Sequence, residues 1–149
     1  MALGKWFRGG SAATAEPAKD YTVSKPDEEW RRELSAEQYR VLREHGTERP
    51  FTSPLNKEKR DGVFICAGCG QDVFESGAKF ESGTGWPSFF APVQQGVDTS
   101  EDNSFLMRRV EVHCAKCGGH LGHVFEDGPQ PTGQRYCING AALSFKAKS

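Results

Sequence analysis

The 149-residue chain has the length of one domain, and its composition limits what that domain can be. Hydrophobic residues make up 36% of it, enough for a modest core of the kind that a bound metal often supplements. With 19 basic and 20 acidic residues the net charge is -1, so charge gives no reason to expect binding to nucleic acid or to an anionic membrane.

The N-terminal region, residues 1–24, is rich in Ala, Gly, Ser and Lys and predicts a flexible tail ahead of a domain over residues 25–146. It lacks the apolar segment of about 7–15 residues that marks a secretory signal. The chain also lacks an apolar run of about 18 residues that would span a membrane. We therefore expect a cytoplasmic protein with reduced cysteines.

Two short helices are predicted at the start of the domain. The first is "DEEWRREL" after Pro26, with acidic residues before basic ones, as the helix dipole favours. The second is "SAEQYRVLREHG", in which Ser35 and Gln38 have the spacing of a capping box. Gly46 predicts where the second helix ends.

From residue 50 onward, glycine and proline separate short runs of β-branched and aromatic residues. These runs are "GVFIC", "KFES", "SFLMRRVEVHC", "HVFED", "RYCI" and "ALSFK". Such runs between turn residues are typical of antiparallel strands. The predicted fold class is therefore mainly β with short N-terminal helices.

Four of the five cysteines form two closely spaced pairs, in "CAGC" and "CAKC". Each pair presents two thiolates from one turn, and two such turns complete a tetrahedral site for one ion. A redox pair or two disulfides are the alternatives, but a redox pair needs no second pair. We expect one structural zinc per chain, which makes the fold zinc-stapled; its ligands are Cys66, Cys69, Cys114 and Cys117.

Cys137 is the cysteine left outside these pairs. A lone cysteine is often a buried and inert small hydrophobe. On a strand, however, Arg135 and Asn139 share its face. A cation and an amide beside a thiol favour the reactive thiolate, so Cys137 is a candidate nucleophile.

Two further motifs carry side chains suited to catalysis. His120 and His123 can donate and accept protons near neutral pH, although they are also consistent with structural histidines or extra metal ligands. Trp86 stands between glycine and proline in "GWPSFF", which favours a ring presented by a loop over one packed in the core.

These motifs together resemble the type B methionine sulfoxide reductases, which reduce the R epimer at sulfur. The matching stretches are "TERPFTSPLNKEKRDGVFICAGCG", "KFESGTGWPSF", "VHCAKCGGHLGHVFEDGP" and "RYCINGAAL", within about residues 27–145. The resemblance implies two antiparallel sheets with short N-terminal helices, a four-cysteine zinc site and no organic cofactor. Residues 25–146 would form the methionine-R-sulfoxide reductase domain.

The resemblance also implies a role for each matching residue. Cys137 would attack the sulfoxide and become a sulfenic acid, with His120, His123 and Asn139 as the other catalytic residues. Trp86 would line the pocket for the methyl group. Arg135 and Asp127 would complete the substrate-binding set.

The sequence departs from the family at two positions. Thr84 stands where many members have a resolving cysteine, which implies regeneration by an external thiol reductant, thioredoxin or glutathione with glutaredoxin. Gly140 stands where serine is common and is expected to loosen or reshape the site. The implied substrate is an oxidised protein or peptide, and we expect the chain to be a monomer.

Two classes of protein without catalytic activity are the rival interpretations. One is a zinc-stapled binding module and the other is a zinc ribbon that binds nucleic acid. Neither explains why Cys137, Arg135 and Asn139 occur together with the two histidines, and the balanced charge argues against the second.

Overall fold

The computed structural model describes residues 21–103 and 107–148, so residues 1–20 of the predicted tail lie outside it. Helix α1 spans Asp27–Glu33 and helix α2 spans Ala36–Glu44, which confirms both predicted helices. The capping box is formed, because the Gln38 backbone donates to Ser35 Oγ and the Ser35 backbone donates to Gln38 Oε1. Helix α2 ends at Glu44, and its C-cap is His45, one residue before the predicted stop at Gly46; His45 adopts a left-handed conformation with φ of 58°.

The described residues contain nine strands in two antiparallel sheets, which confirms the predicted fold class. The strands are β1 (Gly62–Cys66), β2 (Asp72–Glu75), β3 (Lys79–Phe80), β4 (Ser88–Phe89), β5 (Val97–Asp102), β6 (Arg109–Cys114), β7 (His120–Phe125), β8 (Arg135–Ile138) and β9 (Leu143–Ala147). The small sheet has the order β2-β1-β9, and the large sheet has the order β3-β4-β8-β7-β6-β5.

Three strands were not among the predicted runs: β2, β4 and β5. Strand β5, "VDTSED", has one apolar residue and lies at the edge of the large sheet, where pairing with β6 alone holds it. Strand β4 has two residues and follows a proline, so no periodic pattern can develop. Part of the predicted run "SFLMRRVEVHC", residues 104–106, lies outside the described residues.

An aromatic core joins the two sheets. Phe64 of β1 and Phe74 of β2 pack on Phe89 of β4, with ring centroids 5.1 Å and 4.4 Å apart. All three side chains are fully buried. One face of strand β4 therefore packs against the small sheet, while one edge of the strand pairs with β8.

The helices cover part of this core with one aromatic and one aliphatic side chain. Trp30 and Leu42 are both buried, and both lie close to Gly68 in the turn after β1. In the described part of the chain, no helix combines the length and apolar character needed to cross a membrane.

Candidate active site

The four paired cysteines meet between the two sheets. Cys66 ends β1 of the small sheet and Cys114 ends β6 of the large sheet. Sγ of Cys66 lies 3.7 Å from Sγ of Cys117, and Sγ of Cys69 lies 3.5 Å from Sγ of Cys114. Four sulfurs around a tetrahedral zinc with bonds of about 2.3 Å are about 3.8 Å apart. The cluster therefore has the dimensions of a closed four-thiolate metal site.

Backbone donors surround these sulfurs. The N–H groups of Gly68, Lys116 and Gly119 each lie 3.4 Å from a cysteine sulfur. Gly70 and Gly118, which follow the second cysteine of each pair, have positive φ values of 84° and 76°. The tight turns thus depend on backbone conformations that glycine readily adopts. The N–H groups that point at the sulfurs would offset the negative charge of thiolates.

A separate cavity of about 290 Å³ lies on the large sheet around Cys137. Its lining contains four of the predicted site residues besides Cys137 and adds several that were not predicted. The lining residues are Thr47, Thr84, Trp86, Arg109, Gly122, His123, Phe125, Arg135, Cys137 and Asn139.

Strand pairing explains why Cys137 and His123 meet. Strand β8 lies between β4 and β7, and Cys137 is directly opposite Ser88 on one side and His123 on the other. Directly opposite residues of antiparallel strands have side chains on the same face. Trp86 reaches the same cavity because its loop leads directly into β4.

Opposing effects act on the Cys137 thiol. Burial raises its pKa, whereas the positive charge of Arg135 and a hydrogen bond with Thr84 lower it, and the net result is a raised pKa. Arg135 thus lowers the pKa of Cys137, as predicted, but the effect of burial is larger. Asn139 also lines the cavity, but the hydrogen bonds of its amide go to other groups: Oδ1 accepts from Glu48 N at 2.9 Å and Nδ2 donates to Leu121 O at 3.1 Å. Burial therefore outweighs the neighbours predicted from the sequence to favour the Cys137 thiolate.

His123 is the histidine that lines the cavity. Its Nε2 lies 2.9 Å from Asp102 Oδ2, and Arg109 donates to the same oxygen at 3.3 Å. Burial is the main cause that lowers the pKa of His123, and the hydrogen bond with Asp102 opposes it. The lowered pKa favours the neutral form of His123, and the contact with Asp102 orients its ring in the cavity that Cys137 also lines.

His120 lies behind this layer. It is 2% exposed, its ring centroid lies 5.5 Å from that of His123, and its Nδ1 lies 2.6 Å from Glu111 Oε2. His45 Nδ1 contacts the same oxygen at 2.7 Å. Burial alone would raise the pKa of Glu111, but the hydrogen bonds from both histidines hold it well below its usual range.

The His45–Glu111 contact predicts a pH-dependent contribution to stability. The hydrogen bond to Glu111 raises the pKa of His45, so its contribution is full below the unfolded pKa and is lost as pH rises through the folded pKa. His45→Gln should lower the free energy of unfolding by about 0.5 kcal/mol near pH 6 and by less near pH 9. Denaturant unfolding at both pH values measures this difference. Lys59→Gln, which removes an exposed ion pair with Glu81, is the control and should have the same effect on stability at pH 6 and at pH 9. An equal effect of His45→Gln at the two pH values would contradict a pH-dependent contribution of the His45–Glu111 contact.

Asp127 and Arg135 form an ion pair at the mouth of the cavity. Arg135 donates from Nε and Nη2 to the two Asp127 oxygens, at 2.9 Å and 3.1 Å, and its guanidinium lies 4.6 Å from the centroid of the Phe125 ring. Asp127 itself is exposed. Its contact with the cavity is therefore made through Arg135.

Gly140 is closely packed. A Cβ atom there would lie 1.9 Å from Ser53 Oγ, and the Gly140 N–H donates to Glu48 Oε2 at 2.7 Å. The expectation that this glycine loosens the site is not supported by its packing. Ser53 fills the space that a larger side chain would need.

Sequence reasoning missed several polar residues around the site. For Arg109 and Glu111 a signal existed, because alternation along β6 places them on one face, and Glu111 pairs with His123. For Glu48, His45 and Asp102 no local pattern pointed to the site.

The fold and these two sites define a small β domain with a four-cysteine cluster that could hold a metal ion and a second, cysteine-centred cavity, and comparisons identify its family. The SelR domain model matches residues 34–147. The relatives from Leptospira interrogans, Methanosarcina barkeri and Bradyrhizobium diazoefficiens all carry the name peptide methionine sulfoxide reductase MsrB. The first is 56% identical over 128 residues, covering 85% of this chain and 98% of the relative.

The other two relatives are similar to a comparable degree. That from Methanosarcina barkeri is 57% identical over 127 residues, with coverage of 85% and 89%, and that from Bradyrhizobium diazoefficiens is 59% identical over 130, with coverage of 87% and 94%. The chain belongs to the SelR domain family. The resemblance drawn from the sequence motifs is thereby confirmed.

Proposed function

We propose that the protein is a peptide methionine sulfoxide reductase that converts the R epimer in oxidised proteins or peptides to methionine. The observation that carries this proposal is the cavity in which Cys137, His123 and Trp86 meet. A nucleophile, a proton carrier and an aromatic wall are the three elements that this chemistry needs.

The reaction balances with the residues of this chain. His123 takes the proton of the Cys137 thiol, and the thiolate sulfur attacks the sulfoxide. The bond between the Cys137 sulfur and the substrate sulfur is transient. As it and the substrate S–O bond break, the oxygen transfers to Cys137, His123 returns the proton to that oxygen to give a sulfenic acid, and methionine leaves reduced by two electrons. Asp102 holds Nε2 of His123, so we assign Nδ1 to the proton transfer.

Stereochemical choice requires that methyl group and oxygen occupy different sides of the cavity. The Trp86 ring, fixed by a hydrogen bond from its Nε1 to Glu48 O at 3.0 Å, offers an apolar surface for the methyl group. His123 and Arg135 line the same cavity with polar groups suited to the oxygen. Asp127 supports Arg135, and His120 and Asn139 position the strands around Cys137.

The metal that fits the four-cysteine cluster best is zinc, one per chain, because thiolate sets of this geometry are typical of structural zinc. Its four ligands leave no position for substrate, so zinc would stabilise the fold and take no part in the reaction. We further propose a cytoplasmic monomer with neither nucleic acid nor membrane as partner.

Regeneration of Cys137 needs an external reductant. Thr84 lies beside Cys137 at the position of the expected resolving cysteine, and the other four thiols belong to the metal cluster. Two external thiol groups would reduce the sulfenic acid and release water and a disulfide. Thioredoxin, or glutathione with glutaredoxin, would supply them.

Thr84→Cys should create an internal resolving thiol, because Thr84 and Cys137 line one cavity and are hydrogen-bonded. After one turnover without reductant, intact mass should show most of the variant lacking two hydrogens, whereas wild type gains one oxygen. Thr84→Ser is the matched control and should behave like wild type. A variant that keeps the added oxygen and forms no disulfide would contradict the placement of Thr84.

The function is tested by turnover of a peptide that carries both methionine sulfoxide epimers, with dithiothreitol as reductant and epimer-resolved detection. Folded, zinc-loaded protein should consume the R epimer and leave the S epimer. Consumption of the S epimer would overturn the stereochemical proposal. A folded protein without turnover would favour the binding module.

A further inference from the structure

Glu48 is a buried acidic residue in the segment that follows α2, and it is 3% exposed. We propose that it is a positioning residue that fixes the nucleophile strand against the substrate-binding ring. This inference rests on the proposed function. It is carried by four hydrogen bonds that link Glu48 to both parts of the site.

The carboxylate holds the turn that follows Cys137. Glu48 Oε2 accepts from Gly140 N at 2.7 Å, and Glu48 Oε1 accepts from Ala141 N at 2.9 Å. These N–H groups begin the 3-10 turn Gly140–Ala142, whose preceding residue, Asn139, gives no side-chain cap. Glu48 therefore satisfies donors that the turn itself leaves unpaired.

The backbone of the same residue holds two further site residues. Glu48 N donates to Asn139 Oδ1 at 2.9 Å, and Glu48 O accepts from Trp86 Nε1 at 3.0 Å. The side chain of Asn139 extends this hydrogen-bond network to β7, because its Nδ2 donates to Leu121 O at 3.1 Å. One residue thus sets the Trp86 ring, the end of β8 and the strand of His123 relative to one another.

The charge of Glu48 also acts on Cys137. Both hydrogen bonds of its carboxylate come from backbone N–H groups, so among the described residues no cation is hydrogen-bonded to it. Burial raises the pKa of Glu48, and the backbone hydrogen bonds and the charge of Arg40 oppose this. Its negative charge raises the pKa of the Cys137 thiol, opposing Arg135. The groups that line or influence the thiol and stay unchanged in a Glu48 variant are His123, Arg109, Arg135 and Thr84.

Glu48→Gln separates these roles. The amide keeps the size and one acceptor, but its NH₂ group faces an N–H donor and the charge is lost. We expect kcat to fall about tenfold, because the turn Gly140–Ala142, which follows Cys137, loses a hydrogen bond to a charged group. KM should change less than about twofold, because Trp86 and Asn139 contact the backbone of Glu48. Iodoacetamide labelling of Cys137, followed by peptide mass spectrometry, should shift to lower pH.

Glu58→Gln is the matched control. Glu58 belongs to the same segment but pairs with the Arg60 side chain, so its kcat, KM and labelling profile should equal those of wild type. A folded Glu48→Gln variant with wild-type kcat and labelling profile would overturn the proposal. An equal loss for Glu58→Gln would overturn it too, because the effect would then belong to the segment as a whole.

Glu48→Asp provides a second variant if the glutamine variant does not fold. Aspartate keeps the charge but is too short to reach both N–H groups, so kcat should fall while the labelling profile stays near that of wild type. Wild-type kcat in Glu48→Asp would overturn the proposal. If wild type itself shows no turnover, the proposed function fails, while the labelling profiles still decide whether Glu48 acts on Cys137.

Discussion

Cys137→Ser is expected to lower the turnover of methionine sulfoxide roughly a thousandfold or more, and to leave the fold and the metal content unchanged. Serine keeps the size of the side chain and every backbone hydrogen bond of β8. Its hydroxyl does not ionise near neutral pH, and it cannot take up the substrate oxygen as a sulfenic acid does. Steady-state turnover of the R epimer, with metal analysis and circular dichroism, measures the three quantities.

The controls for this variant come from the cysteines and the cavity. Metal content should stay at the wild-type value, because Cys137 lies outside the cluster of Cys66, Cys69, Cys114 and Cys117. Thr84→Ser changes another residue of the cavity and should retain turnover. Turnover by Cys137→Ser at the wild-type rate would show that a different group is the nucleophile, and loss of metal would show that the variant is not a clean test.

Local patterns predicted much of the fold. The capping box at Ser35, the glycine-bounded "GVFIC" and the paired cysteines are each set by neighbours in the sequence, so short windows were enough. The paired cysteines are the strongest case, because ligand spacing within each turn is a local property. Helix α2 differed by one residue because His45 takes a conformation that is more common for glycine.

The roles of the two histidines show where local reasoning ended. On a regular strand, residues three apart lie on opposite faces, yet His120 and His123 have ring centroids 5.5 Å apart. The pairing of β6 with β7 shifts register between Val112 and His113, which bends the strand between the two histidines. A bulge of this kind depends on the partner strand, so the sequence of β7 alone could not separate a buried histidine from one that lines the cavity.

Glu48 illustrates a second limit. Its contact with Asn139 joins residues 91 positions apart, and its contact with Gly140 joins residues 92 apart. The close packing of Gly140 on Ser53 is also long-range, and it leaves no room for a side chain at residue 140 unless Ser53 moves. Such contacts follow from the complete fold, not from a motif.

If the four cysteines hold the proposed zinc, its removal is expected to destabilise the whole domain, because the cluster joins the end of β1 in one sheet to the end of β6 in the other. Apparent free energies of zinc binding to structural sites are about 10–16 kcal/mol near pH 7, which is as large as the whole stability of a typical domain, about 5–15 kcal/mol. Cys117→Ser, which replaces a ligand that is 2% exposed, should therefore give protein that lacks a cooperative unfolding transition.

Thermal unfolding with metal analysis checks this expectation. Wild type should contain about one zinc per chain, and a strong chelator should lower its Tm sharply. Cys137→Ser is the matched control, because it removes a thiol without touching the cluster and should keep both zinc and Tm. Metal-free wild type that unfolds cooperatively at an unchanged Tm would contradict a stabilising role. The two cysteine variants thus separate the two sites. Cys137→Ser should lose turnover alone, whereas Cys117→Ser should lose turnover because the large sheet that brings His123 and Trp86 to Cys137 loses its link to the small sheet.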